Sequence, residues 1–391
     1  MTETFSMQSV ADLFRKGDFS GALARLDQVP ESEKGWEVYQ LRATTLGILS
    51  RFEEAHSDLE KARTLQPGHV GLMTDLADIQ IKLGRHDAAK KLLAEALQTD
   101  GTWGPAHFKM GLACFETGDF QSALRHCDAA AKHWKDVSYP LTLKARVLMS
   151  LGQPAEATFL AALQINPHDI EAMSCLSEHY VSIGEGQKAV VQLEKIVAQS
   201  PNHSAAVRQL GLAYFQLSQY AEALPLFKKA MALDPQNRDY AFRHATCLME
   251  LGDHAAAIRA FDDLEKTMPN DIVLLCTKAM AQMRAKNHSE AMAILKRAAS
   301  VDAKHYLPYH YLGLLFTDMG KYADGVKALA KAIQCAPQNA ALHSAQGTCF
   351  LALSQFPEAI QSYTTAAGLS DLVIYKALLG EAQKLAGANR S

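Results

Sequence analysis

The sequence lacks three features that would each assign it to a common class of protein. No run of five like charges occurs and the net charge is −3, so it lacks the clustered lysines and arginines of a nucleic-acid-binding surface. No stretch approaches the about 18 apolar residues of a membrane-spanning helix. The first residues, MTETFSMQSVADLFRKGDF, carry no apolar core, so we expect no signal peptide. These absences favour a cytoplasmic protein with no nucleic-acid partner and no membrane insertion.

Cysteines in a useful spacing are also missing. The seven cysteines are odd in number, scattered between Cys114 and Cys349, and never arranged as CxxC. Disulfide frameworks and zinc sites depend on paired or closely spaced cysteines. We therefore expect free, buried thiols in a reducing compartment.

Catalytic and metal-binding motifs are absent as well. The sequence contains no HExxH, no GxxxxGK[ST] phosphate loop and no GxSxG. His126 and His133 lie seven residues apart on one predicted helix face, but we find no carboxylate or thiol to complete a ligand set. We predict no catalytic residue, no cofactor and no metal site, and hence a protein that is not an enzyme.

What the sequence does contain is a 34-residue repeat. Its clearest unit is residues 204–237, and the same frame continues in both directions as eleven units over residues 3–373. Repeat position 20 holds a small residue in every unit: Ala22, Ala55, Ala89, Ala123, Ala157, Ala189, Ala223, Ala257, Ala291, Gly325 and Ala359. Small residues at a fixed phase allow two helices to approach closely.

Two further positions support a pair of helices in each unit. Position 8 is also small, and position 15 is mostly glycine, as expected where a helix ends in a left-handed conformation. Prolines such as Pro201 and Pro235 follow the second helix. The pattern resembles the tetratricopeptide repeat, a helix–turn–helix unit of this length. The resemblance implies an all-α fold, an α-solenoid whose helix pairs stack into a right-handed superhelix.

The frame predicts how the chain is divided. A C-terminal capping helix and tail should cover the last unit over residues 374–391, with Ile374, Leu378, Leu379, Ala382 and Leu385 on its apolar face. The eleven predicted repeats are 3–35, 36–69, 70–103, 104–137, 138–169, 170–203, 204–237, 238–271, 272–305, 306–339 and 340–373.

The unit 138–169 is two residues short. We assign the loss to its second helix, with Pro154 in the first turn and an apolar stripe of Ala157, Leu160, Ala161 and Ile165. Either the shorter helix is accommodated within its own unit, or it introduces a kink in the array between repeats 1–5 and 6–11.

In the tetratricopeptide repeat family the first helix of each pair lines the concave surface. In the units that start at residues 238, 272 and 306, the positions that would line the concave surface are mostly apolar. An earlier unit has Asp75, Asp78 and Lys82 at these positions. Such a stripe is either a binding surface or is buried by tight winding of the superhelix. The predicted partner-binding residues are Phe242, Arg243, Met249, Met280, Met283, Leu307, His310, Tyr311 and Leu314.

The resemblance implies a scaffold or adaptor that binds a protein in its groove. An apolar, methionine-rich surface fits an amphipathic helix or an apolar peptide. The alternative is a regulatory or targeting subunit of an enzyme complex or of an envelope or secretion assembly.

Overall fold

The computed structural model describes residues 7–388, and this range is all-α, with no β-strand. The prediction of an all-α solenoid of paired helices is confirmed. The helices, together with one 3₁₀ turn at Glu31–Glu33, are α1 Met7–Arg15, α2 Phe19–Asp27, α3 Trp36–Ile48, α4 Phe52–Leu65, α5 Val70–Lys82, α6 His86–Thr99, α7 Gly104–Glu116, α8 Phe120–His133, α9 Tyr139–Ser150, α10 Glu156–Ile165, α11 Ile170–Ser182, α12 Gly186–Gln199, α13 Ser204–Gln216, α14 Tyr220–Leu233, α15 Arg238–Glu250, α16 His254–Thr267, α17 Ile272–Arg284, α18 His288–Val301, α19 Tyr306–Asp318, α20 Tyr322–Cys335, α21 Ala340–Ala352, α22 Phe356–Leu369 and α23 Val373–Ala388.

Each odd-numbered helix from α3 to α21 packs against the helix that follows it, at the small residues of the repeat. A Cβ added to Gly313 would lie 2.5 Å from Cγ of Leu329, and one added to Gly347 would lie 2.9 Å from Cε1 of Tyr363. Position 8 therefore packs against the side chain four residues after position 20, and small residues are needed there because the partner is large.

The turn between paired helices takes the conformation that the glycines predict. Seven glycines at repeat position 15 have φ between 67° and 87°, a left-handed region that glycine enters without a steric penalty. Where the position is not glycine, Ser50, Ser218, Lys286 and Ser354 adopt the same conformation, with φ between 58° and 64°. The helix pair thus sets the backbone conformation of the turn, and glycine lowers the free-energy cost of adopting that conformation.

Contacts divide the chain into two compact units, the first ending at Gln199 and the second starting at Ser200. The first holds α1–α12 and has a large core between Leu23 and Val147. The second holds α13–α23, with cores around Phe261 and Leu275. The division into eleven repeats stays a prediction. None of the helices in the described range is long and apolar enough to cross a lipid bilayer.

The short unit lies within the first compact unit, and its second helix is shortened, as predicted. Helix α10 has 10 residues, whereas α8 and α12 have 14 each. Pro154 precedes the helix instead of lying in its first turn, and Ala155 is its fully buried N-cap residue. Because Ala155 precedes Pro167 by the same twelve residues that separate Ala189 from Pro201, the two missing residues lie before Ala155, where α12 has its first helical turn.

The predicted apolar stripe of α10 is consequently wrong. Phe159 and Ala162 are buried, whereas Ala157 is exposed and Leu160 and Ile165 are 40% and 39% exposed. The missing helical turn leaves a cavity of about 610 Å³, which is lined by side chains that include Met149, Pro154, His179 and Ile183. Helix α9 still contacts α11 directly, as α7 contacts α9. The kink between repeats 1–5 and 6–11 stays a prediction.

The last helix, α23, packs against α22 through part of its apolar face. Leu378, Leu379 and Ala382 lie against Tyr363. The other two residues of the predicted face, Ile374 and Leu385, are 60% and 43% exposed, so the predicted face is wrong for them. The predicted segment 374–391 also includes residues 389–391, which lie outside the described residues.

Candidate partner-binding surface

The predicted partner-binding residues lie on three first helices of the second unit. Phe242, Arg243 and Met249 are on α15; Met280 and Met283 are on α17; Leu307, His310, Tyr311 and Leu314 are on α19. Helix α17 contacts both α15 and α19. The fold therefore brings the nine residues onto three adjacent helices.

Met249 does not belong to a surface. Its side chain is completely buried in the cluster that contains Phe261 and Ala281, so it fills the contact between α15 and its neighbours. The sequence pattern could not distinguish a surface position from a helix–helix contact here. Its assignment to the partner-binding residues is wrong for this reason.

The remaining eight residues are half-buried. Phe242 packs edge-to-face against Phe261 with a centroid separation of 5.8 Å, and Met283, Leu307 and Tyr311 border the core around Leu275. Part of each side chain therefore packs against the core, and part is exposed to solvent. The stripe is thus neither fully buried by the superhelix nor fully available as a binding surface. A partner would contact only the exposed part.

The charges on this surface are paired. Nε of Arg243 lies 2.7 Å from Oδ2 of Asp239, and its guanidinium lies 5.5 Å from the ring centroid of Phe215. Burial lowers the pKa of His310 and raises that of Tyr311, so both side chains are neutral at pH 7. The surface therefore offers apolar area and neutral hydrogen-bonding groups.

A cavity beside Phe242 was not foreseen from the sequence. Its volume is about 270 Å³, and its walls include Arg238, Asp239, Met268 and Val273. Val273 is 50% exposed, an unusual exposure for a branched apolar residue. The signal in the sequence was an apolar residue at repeat position 2, beside the inward phase.

The corresponding surface of α5, in the first unit, is polar and internally satisfied. Asp78 lies between Lys109, at 2.5 Å, and Lys82, at 3.0 Å, while Asp75 accepts a hydrogen bond of 2.6 Å from Gln40. Burial acts to raise the pKa of Asp78, but the two lysines outweigh it and lower that pKa; burial raises the pKa of Asp75. The polar contrast with the second unit is therefore present in the structure.

Thiols and metal ligands add little to the chemistry of the described residues. All seven cysteines are free, and five are buried, but Cys335 is exposed and Cys175 half-buried, which corrects the expectation that all are buried. Burial raises the pKa of Cys127 to about 12, so this thiol is not a nucleophile at neutral pH. Between residues 7 and 388 no three His, Cys, Asp or Glu side chains are already arranged around a common metal position.

Comparison with known proteins agrees with the helical pairs. Tetratricopeptide repeat models match residues 49–109, 214–275 and 312–372, and a bacterial transcriptional activator domain model matches residues 100–234. Cell division cycle protein 27 homolog A of Arabidopsis thaliana is 23% identical over 55% of this chain and 35% of its own length. Anaphase-promoting complex subunit 3 of Schizosaccharomyces pombe is 23% identical over 73% of this chain and 45% of its own.

The chain therefore spans less than half the length of these two curated relatives. The crystal structure of yeast Tom70 aligns with 98% of this chain and 95% of its own, at 13% identity and a TM-score of 0.46. Paired antiparallel helices stacked at a 34-residue period define a helical-repeat protein. The chain belongs to the tetratricopeptide repeat family. Membership supports a protein-interaction scaffold with a protein partner, and scaffolds of this family are generally non-catalytic.

Proposed function

We propose that this chain is a non-catalytic scaffold that binds an amphipathic helix or an apolar peptide on the surface of α15, α17 and α19. The observation that supports it is the half-exposed apolar stripe on three adjacent first helices. Ordinary solvent-facing helix surfaces are polar, and the same phase of α5 carries Asp75, Asp78 and Lys82. A half-exposed apolar stripe marks a place where apolar area can be covered by a partner.

The composition of the stripe favours a helix or a peptide over a small molecule. Met280 and Met283 lie side by side on α17, and methionine adapts its shape to varied apolar ligands. The structure shows no hydrogen bond from His310 or from the Tyr311 hydroxyl to any described residue, so both can pair with a polar group of the partner. The surface is open along three helices, which suits an extended occupant.

The test uses a helical peptide selected from a display library against the full chain. The double variant Met280→Asp/Leu314→Asp is expected to weaken the dissociation constant of that peptide at least about tenfold, because burying an unpaired carboxylate in an apolar contact is unfavourable. Isothermal titration calorimetry measures the change.

The control is Leu112→Asp, which introduces one carboxylate at the same repeat position of α7, in the first unit, on a side chain that is also half-buried. It should leave the affinity unchanged while reporting the cost of the substitution to folding. Unchanged peptide affinity in the double variant, with helicity retained, would contradict the proposal.

A second candidate is a regulatory or targeting subunit of an enzyme complex or of an envelope or secretion assembly. The name of one relative, anaphase-promoting complex subunit 3, favours it. A subunit should co-purify with its partners in fixed stoichiometry at high salt, measured by light scattering on a size-exclusion column, whereas an adaptor should exchange partners. A chain that always elutes alone would exclude this candidate.

A further inference from the structure

Three histidines of one helix pair lie together in the first unit. His107 is on α7, and His126 and His133 are on α8. Nδ1 of His107 lies 3.1 Å from Nδ1 of His126, with a ring centroid separation of 5.4 Å. The rings of His107 and His133 are parallel, with centroids 6.4 Å apart. The sequence alone pointed to His126 and His133, but not to the residue on the facing helix.

The hydrogen bonds define where the protons are. Nε2 of His107 lies 3.1 Å from the carbonyl oxygen of Gly101, and a carbonyl can only accept, so Nε2 carries the hydrogen. In the neutral ring, Nδ1 of His107 then presents a lone pair toward His126. Without a metal, Nδ1 of His126 donates to this lone pair.

The spacing also suits a chelate. Metal–nitrogen bonds of about 2.0–2.1 Å place two ligand nitrogens of one ion roughly 2.9–3.4 Å apart for angles between square and tetrahedral, and the two Nδ1 atoms are 3.1 Å apart. Histidine ligands commonly donate their second N–H to a backbone carbonyl, as His107 does to Gly101.

We propose that His107 and His126 chelate a divalent transition-metal ion of the kind that prefers imidazole, such as Zn²⁺ or Ni²⁺, through their Nδ1 atoms. A bound ion would tie α7 to α8 at the surface of the repeat that they form. The site lies in the first unit and is independent of the partner-binding surface on α15, α17 and α19.

The chain contains its own control. His343 occupies the same position of its helix pair as His107, and its Nε2 lies 2.8 Å from the carbonyl oxygen of Pro337. The residue opposite, in the place of His126, is Ser362. His343 is thus held in the same way but has no second imidazole, and it should not form a chelate.

The test is calorimetric titration of the full chain with Zn²⁺ and, separately, with Ni²⁺ at pH 7.5. His126→Gln is expected to weaken the tightest site at least about 100-fold, whereas His343→Gln should leave it unchanged. Circular dichroism of each metal-free variant checks that the helices are intact. Wild-type affinity in His126→Gln would overturn the proposal.

A measurement on the unaltered chain guards against a folding defect in the variants. Nitrogen-15 NMR of the histidine rings should show Nδ1 protonation of His126 without metal, and its replacement by Nε2 protonation when one equivalent of Zn²⁺ is added. Ring signals of His107 and His126 that do not move with Zn²⁺ would overturn the proposal independently.

Discussion

Replacing Phe159 with alanine is expected to destabilise the first unit by about 3–5 kcal/mol, the usual cost of removing a large buried aromatic ring. Phe159 is completely buried and lies in a cluster with Ala145, Ala155, Leu176 and Tyr180. Helix α10 has only 10 residues and buries only two of them, so it has few other contacts with which to compensate. Its neighbours are also held by their own partners, so the cavity cannot collapse completely.

The matched control is Leu160→Ala, one residue further along the same helix. Leu160 is 40% exposed, so its removal should cost less than about 1 kcal/mol. Urea unfolding followed by circular dichroism gives the two free energies. Amide hydrogen exchange of α9–α11 locates the loss, because repeat arrays can unfold in parts. A larger cost for Leu160 than for Phe159 would restore the register expected from the sequence and contradict the structure.

This pair of residues shows what periodicity can and cannot predict. The repeat predicted the paired helices because each small residue, turn glycine and closing proline has a distinct physical role at a fixed phase. A two-residue deletion, however, can lie on either side of an alanine. Both Ala155 and Ala157 satisfy the pattern, and only the burial of Ala155 shows that the deletion lies before it.

The candidate surface was predictable to a similar depth. The phase along the first helices selects eight residues that are all half-buried, because one face of a helix follows from spacing alone; their role in partner binding stays a prediction. The burial of Met249 depends on the neighbouring helix, where the small side chain of Ala281 in the same cluster leaves room for it. Likewise, His107 and His126 lie on two different helices, so the residue spacing within either helix does not predict their contact.

A second large effect is expected in the first unit, where Arg42 holds a buried carboxylate. Nη1 of Arg42 lies 2.6 Å from Oδ2 of Asp58, whose side chain is only 3% exposed. Nε of Arg42 also binds Asp27, which is 48% exposed. Replacing Arg42 with methionine keeps most of the apolar stem but leaves the charge of Asp58 in the core without a cation. Breaking a buried pair in this way costs about 3–5 kcal/mol.

The control for this substitution is Arg243→Met. Arg243 makes an ion pair of the same length class, 2.7 Å, with Asp239, but that carboxylate is 51% exposed. Water can solvate it after the arginine is removed, so we expect a loss of less than about 1 kcal/mol. Equal losses in the two variants, measured by urea unfolding at pH 7, would show that the burial of Asp58 does not matter.

The pH dependence of the stability loss provides a second test of the Arg42 prediction. Burial raises the pKa of Asp58 above its ordinary value even with Arg42 present, and removal of the cation should raise it further. Between the ordinary pKa and the raised one, the folded chain binds more protons than the unfolded chain, so stability increases as the pH falls. The deficit of Arg42→Met should therefore be largest at pH 7–8 and shrink on acidification toward the folded pKa of Asp58. Adding Asp58→Asn should remove this dependence, because the amide does not titrate, and a deficit that grew on acidification would contradict the assignment.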